Sequence, residues 1–448
     1  MHRLLAAVSA LVVVFATAFA VRGAAQAQAP VPTFTKDVAP ILFKNCTSCH
    51  RPGEIAPMSL LTYEDARPYA RAIFEETRDE HMPPWHADAP VGHFTNERRL
   101  TTKEKETLMR WATNGAPKGN AADMPPAPTY AEGWQLGTPD KVFEMKEAYE
   151  VPATGTVQYE YFYIPTDITE PTWVKGIEIR PSARAVVHHV LMYYWTRPNP
   201  AAQRAQILVR NREQSDIPDG GPGKSPRRPP AGMRPSLVAT YAPGTNPQVM
   251  PPGTAVRLEP GGVIEFQMHY TTNGTAARDK TRVGLFLSKD ASPREIRIAE
   301  FYNGLLKLPA GAADVAVNAE VGFAQDTTIW GLFPHTHLRG KKWRYELQLP
   351  DGTKKIILDV PRYDFNWQTY YMFSQPLQVP RGSKIVSTAW YDNSAKNPAN
   401  PDATKYVTWG DQTWEEMQYT GIIFSPALPA SASSSGLNPA GPNRSRRP

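Results

Sequence analysis

Apolar residues change their spacing along this chain near residue 140. Between residues 33 and 118 they recur at helical intervals. Tyr63-Glu64-Asp65-Ala66-Arg67 leads into Ile73 and Phe74, and a second helix is predicted from Thr102, as N-cap, through Leu108, Met109, Trp111 and Ala112 to a stop at Gly115. From Ala116 the composition shifts to proline, alanine and glycine, which predicts a linker over residues 120–139. Beyond it the period becomes two. Residues 157–164, 173–179, 186–195, 263–270, 282–287, 328–333, 343–349 and 384–391 are short, aromatic and β-branched, with proline and glycine turns between them. Pro350-Asp351-Gly352 reads as the turn between two hairpin strands. Roughly 290 residues of this texture exceed one β-sandwich and suit two, divided near Ser288-Lys289-Asp290-Ala291-Ser292-Pro293. Residues 210–235, rich in glycine, proline and arginine, read as a mobile loop.

The composition is that of a globular protein, 41% hydrophobic and 21% charged, which excludes wholesale disorder. Residues 1–27 read as an export signal: Arg3 at the start, an apolar run over residues 4–21, and Ala25-Gln26-Ala27 as a small-x-small cleavage site. An uncleaved membrane anchor is the alternative. Export would place the protein in the periplasm or outside the cell. Loss of Arg3 and Arg22 lowers the formal charge from +6 to +4, and Arg444, Arg446 and Arg447 sit in the 426–448 tail, expected to be disordered. Such a surplus is no footprint of nucleic-acid binding, and none is expected.

The chemistry is concentrated in two scarce residue types. The 2 cysteines of the chain both lie in Cys46-Thr47-Ser48-Cys49-His50. Cys-x-x-Cys-His is the attachment signature of c-type haem, in which two thiols bond the porphyrin vinyl groups and the histidine ligates iron from one face. A thioether on the other face raises the reduction potential relative to two histidines. Met82, in the stiff Met82-Pro83-Pro84-Trp85 loop, is the predicted partner, with Met58, His81 and His86 as competitors. Residues 31–119 resemble a class I-like cytochrome c domain at Cys46, Cys49 and His50. The resemblance implies a small all-α domain with one covalent haem c, residues 34–46 forming its first helix and 100–115 its last.

Of the 10 histidines, five follow residue 100: His188, His189, His269, His335 and His337. Residues two apart on a strand face the same way, so His335 and His337 can reach one ion. The neighbours His188 and His189 normally face apart, and a shared metal requires of them a strand end, a bulge or different ring nitrogens. His269 follows Glu265 and Gln267 on a half-buried strand and can complete a three-histidine set with them.

Val187-His188-His189-Val190, Gln267-Met268-His269-Tyr270, His335-Thr336-His337-Leu338-Arg339-Gly340-Lys341 and Glu415-Glu416-Met417 occur in the order seen in the copper type II, ascorbate-dependent monooxygenases, the family of dopamine β-hydroxylase and the peptidylglycine hydroxylating monooxygenase. The resemblance spans about residues 140–425, mostly through these short blocks. It implies a fold of two all-β, jelly-roll-like sandwiches (140–292 and 293–425) facing each other across a solvent-filled cleft. One copper would be held by His188, His189 and His269 and pass electrons; a second, held by His335, His337 and the Met417 thioether, would bind O2 and do the catalysis. A soft thioether beside two imidazoles suits copper better than zinc. Three departures stand out: no disulfide can brace the sandwiches, Phe333 occupies the position of a substrate-anchoring arginine, and a haem motif is fused to the chain.

The expected function is an exported copper monooxygenase that hydroxylates a C–H bond of a small organic substrate with O2. Its electrons would come from an external donor, whether a redox protein, a quinol-derived or an ascorbate-like reductant, through the fused haem. The alternative is a non-catalytic periplasmic electron-transfer or copper-handling haem protein. A zinc hydrolase on His335 and His337 ranks below both, since no general-base glutamate is evident and the haem would have no role. Phe333, Trp343, Tyr370, Tyr371 and Trp414 lie near the oxygen-side ligands in sequence, as substrate contacts or as core.

Overall fold

The computed structural model describes residues 30–88, 91–131, 133–198, 207–211, 230–427. The expected export signal, most of the 210–235 loop and nearly all of the tail lie outside them.

The fold expectation is corrected. Among the described residues the chain is mostly β, 39% strand against 12% helix. No all-α domain of the cytochrome c fold is evident. In the N-terminal block α1 (Ala39–Asn45) and α2 (Tyr63–Ala66) are short, and only α3 (Ala70–Arg78) and α4 (Thr102–Thr113) reach nine residues. The long stretches between them, 46–62 and 79–101, carry prolines, glycines and the whole Cys-x-x-Cys-His motif, and make mostly turns. α4 is capped one residue earlier than the sequence indicates: Thr101 accepts from the Glu104 backbone N–H while the Glu104 side chain accepts from Thr101, a reciprocal capping box. Phe34, Leu42, Leu60, Ile73, Leu108 and Trp111 close the small core of this block.

Two self-contained jelly rolls are not found either. Among the described residues the strands fall into six sheets. In the first β unit β1 (Glu160–Pro165), β2 (Val187–Thr196), β3 (Arg234–Tyr241) and β4 (Val263–Tyr270) form a sheet in the order β1-β4-β2-β3. A second sheet, built around 172–180 and 282–287, shares one apolar cluster with it, from Val174, Ile177 and Leu285 to Val190, Met192 and Phe266. In the second unit β5 (Arg297–Tyr302), β6 (Thr327–His335), β7 (Tyr371–Val379) and β8 (Tyr419–Pro426) run in the order β5-β8-β6-β7. They share a core with a sheet holding 340–348 and 384–391.

The units do not close on themselves because their cores are partly filled by others. Leu208–Arg210, from the first half of the sequence, pairs with Val321–Phe323 of the second unit. Ile423 of β8 lies in the first core, whereas Trp85, Ala87 and Phe94 of the N-terminal block lie in the second. Trp85 packs edge-on against Tyr371 at 5.1 Å, and the Thr95 N–H donates to the Met372 carbonyl at 2.8 Å. The N-terminal block is therefore clamped to the β units by more than its linker. Burying an aromatic of this size contributes on the order of 2–3 kcal/mol.

Candidate metal centre and haem-attachment motif

All five late histidines meet in one buried cluster. β2 and β4 pair antiparallel with His269 opposite His189, but the next rung joins Tyr270 to Val187, leaving His188 as an extra residue. That bulge turns two adjacent histidines toward one site. Ligand atoms of His188, His189 and His269 all lie within 4.8 Å of one another. His335 ends β6 and His337 follows two residues on, their rings 5.2 Å apart. The His189 and His335 rings are separated by 6.1 Å, so no solvent-filled cleft divides the two groups as the family resemblance implied. No ring is more than 9% exposed.

Burial holds every one of these imidazoles neutral. His188 and His335 are each lowered to about 4, with Asn366 and Gln368 hydrogen bonds acting in the opposite direction, and His189, His269 and His337 lie well below the ordinary value for the same reason. A neutral imidazole has a lone pair to give, the state a metal requires. His188 Nε2, His269 Nδ1 and His337 Nε2 are buried with no hydrogen-bond partner, which costs free energy unless something binds there. The donor set, imidazoles at close range with no carboxylate among them, fits copper.

A surrounding shell fixes the rings. His335 Nδ1 pairs with Gln368 Oε1 at 2.6 Å, His189 Nε2 with the Tyr159 hydroxyl at 3.2 Å, His269 Nε2 with Thr413 Oγ1 at 3.2 Å, and His337 Nδ1 with the Glu415 carbonyl at 3.3 Å. Phe365 stacks on His188 at 4.9 Å and also flanks His269 and His337. Glu416 is fully buried. Its carboxylate accepts from the backbone N–H groups of His337, Arg339 and Met417, tying the His-x-His segment to the methionine. Burial raises it to about 7, against those hydrogen bonds. Gly340 is required beside it, because a Cβ there would sit 1.8 Å from Thr336 Oγ1.

Met417 is half-buried in an aromatic group with Phe333, Trp409, Tyr419 and Tyr370. Two of these, Phe333 and Tyr419, pack against His335 at 6.2 and 5.7 Å. Of the other aromatics, Trp343 and Tyr371 belong to the second core and Trp414 is exposed.

In the N-terminal block Cys46, His50, Met58 and Met82 line one apolar cavity with Leu42, Leu60, Ile73 and Leu108. Both methionines thus remain within the reach of a group seated there, whereas His81 is exposed and paired with Glu76, and His86 lines neighbouring cavities with Trp85. The cysteines are free. Burial, with Cys49 and Glu104 nearby, pushes the Cys46 thiol up to about 12, and burial lowers His50. The Cys49 thiol faces away, toward Gly244 of the first β unit. An apolar wall, a half-buried histidine and two thioethers would suit the axial ligands of a haem, whereas Cys49 does not line this cavity.

The sequence reading missed Tyr159, Phe365, Gln368, Thr413 and the role of Glu416. None of the first four belongs to a motif; only the Glu415-Glu416-Met417 block carried a signal.

No protein-family model matches the chain, and no curated protein matches it. Solved structures show only distant likeness. An infectious bursal disease virus structure (Gx strain) is 11% identical over 68% of this chain and 75% of its own, with a TM-score of 0.18. A putative secreted protein from Eubacterium rectale is 8% identical over 60% and 70%, TM-score 0.19. Allantoicase from Saccharomyces cerevisiae is 7% identical over 62% and 80%, TM-score 0.17. At these scores they carry no argument about fold or function.

Proposed function

We propose that the chain is an exported copper-dependent monooxygenase that hydroxylates a C–H bond of a small organic substrate, with electrons supplied through a haem c attached at Cys46 and Cys49. The observation that carries this reading is the convergence of five buried, neutral histidines, three of which, His188, His269 and His337, keep a ring nitrogen with no hydrogen-bond partner. His188, His189 and His269 would hold one copper, and His335, His337 and the Met417 thioether a second. Copper so held supplies one-electron redox chemistry and a site for O2. The net reaction consumes the C–H bond, O2, two electrons and two protons, and yields the alcohol and water.

The chain's own part is positional. Gln368, Tyr159 and Thr413 orient the rings, Glu416 sets the spacing of His337 and Met417, and Phe333, Tyr370 and Tyr419 offer an apolar wall beside His335.

The test is to load purified protein with copper, measure stoichiometry, and follow O2 uptake and labelled-oxygen incorporation against a panel of aromatic and aliphatic C–H substrates. Two coppers per chain and product loss in His335→Ala are expected. Product formation that survives His335→Ala would overturn the assignment. The depth of the cluster favours a second reading, a non-catalytic electron-transfer or copper-handling haem protein, since every ring is nearly excluded from solvent. Stoichiometric copper with no substrate-coupled O2 uptake would select it.

A further inference from the structure

A recess of about 780 Å³ opens where the N-terminal block and the linker meet the first β unit, and none of the five clustered histidines lines it. Its volume is that of a small-molecule site. Arg51 and Glu54 come from the block, Tyr130 and Gln135 from the linker, and Glu178, Arg180 and Arg184 from the β unit.

The walls carry an unbalanced charge. Three guanidiniums face two carboxylates, and both carboxylates are already shared. Arg51, at 2.8 Å, and Arg184 both donate to one Glu54 oxygen. Glu178, 2% exposed, pairs with Arg180 at 3.0 Å but also accepts from the backbone N–H groups of Gln135 and Leu136. One positive charge is therefore in excess, on arginine side chains only 16–20% exposed. Burial, and after it the like charge of Arg184, holds the Arg180 guanidinium below its ordinary value. The Arg51 guanidinium lies over the Tyr130 ring at 3.9 Å, and its Nε is buried with no hydrogen-bond partner, a state that costs free energy until an acceptor arrives. Tyr241 lines the same recess, and burial keeps its phenol protonated, so it too brings a donor.

We propose that this recess binds a small carboxylic acid in its anionic form, with the carboxylate seated among Arg51, Arg180 and Arg184. A planar guanidinium presents paired donors that match the two oxygens of a carboxylate. A monoanion also neutralises the excess charge, whereas a phosphate dianion would leave net negative charge beside Glu54 and Glu178. Because the lining comes from both the N-terminal block and the first β unit, the bound acid stabilises their contact by mass action. No haem or metal takes part, so the copper reading stands or falls separately.

The experiment titrates the purified full chain with sodium acetate, benzoate or inorganic phosphate at matched ionic strength, by calorimetry, and follows amide exchange over residues 48–54 and 240–248. Saturable binding of a monocarboxylate, with exchange slowed in both segments, is expected. Arg51→Gln should weaken it about tenfold to a hundredfold, the loss of a hydrogen bond to a charged group. Arg51→Lys, which keeps the charge without the fork, should lose less, and Arg184→Gln serves if Arg51→Gln fails to fold. Arg344→Gln, in an exposed pair with Asp359 of the second unit, should change nothing. Absence of saturable carboxylate binding, equal affinity in the folded Arg51 or Arg184 variant, or slowed exchange in one segment alone overturns the proposal. Tighter binding of phosphate than of either carboxylate overturns the choice of ligand.

Discussion

Around the five histidines almost every ring is set by a strand or a buried hydrogen bond, whereas around Cys46, Cys49 and His50 the chain is mostly turns. The bulge between β2 and β4 and the end of β6 position imidazoles through backbone pairing that exists without any ligand. The N-terminal cavity, by contrast, offers two methionines for one axial place, and its two thiols point to different surroundings. Preorganisation by a sheet leaves little to reorganise when metal arrives; a loop-built cavity leaves the covalent group to complete the site.

The sharpest way to break this comparison is to remove the thiols. Cys46→Ser with Cys49→Ser should abolish covalent haem, read by its absorbance after denaturing electrophoresis, and leave copper stoichiometry unchanged. A parallel loss of copper would mean that the sheets depend on the haem.

Trp85→Ala tests how far the two regions are separable. Its ring is 6% exposed within the second core, so its loss should cost about 3–5 kcal/mol in chemical denaturation. Both centres should weaken together, since the indole belongs to the block of one and the core of the other.

Glu416→Ala leaves three backbone N–H groups without their acceptor, two of them on the fully buried His337 and Arg339. Copper affinity should fall roughly tenfold to a hundredfold by titration, with haem content unaffected. Glu416→Gln, which keeps one acceptor oxygen, should lose less.

Acid should act on the same cluster. With His188 and His335 at about 4, the unfolded chain takes up protons below its ordinary histidine value while the folded chain refuses them. Stability is therefore full above about pH 6.5 and falls toward pH 4, by up to about 1.4 kcal/mol per pH unit for each histidine. Glu416, raised to about 7, has the opposite sign, its contribution fading as pH rises from about 4.5 to 7. Five histidines outweigh one carboxyl, so copper-free protein should melt lower at pH 5 than at pH 7. An equal or higher melting temperature at pH 5 would show that the rings are not held neutral.

The smallest effect separates the two thioethers. Replacing the axial one by alanine should lower the haem midpoint potential, and the other substitution should leave it in place; Met82→Ala against Met58→Ala, read by redox titration, decides which.

Much of the candidate site was legible because it is local. Cys-x-x-Cys-His and His-x-His are spaced by bond geometry and strand pitch, and residues 264–270 alternate apolar Ile264, Phe266, Met268 and Tyr270 with Glu265, Gln267 and His269. The single-residue bulge that recruits His188 was legible only as a requirement, since register depends on the partner strand. Gln368, Tyr159, Thr413 and Phe365 come from distant segments and obey no spacing rule. The fold was the larger miss. Helical periodicity in 33–118 suggested a self-sufficient all-α domain, but Trp85 and Phe94 spend their apolar surface in another unit's core, which no pattern within that stretch reveals.

With a metal bound as proposed, the extra residue at His188 would also act as a proofreader. If β2 slipped by one position against β4 during folding, His269 would face a valine or a different rung, and an arriving ion would find two imidazoles instead of three. Metal would bind such a chain more weakly than the native one, so mass action would draw the population toward the correct alignment. The ion would then select the strand register that the two sheets, lacking any disulfide, have no covalent means to enforce.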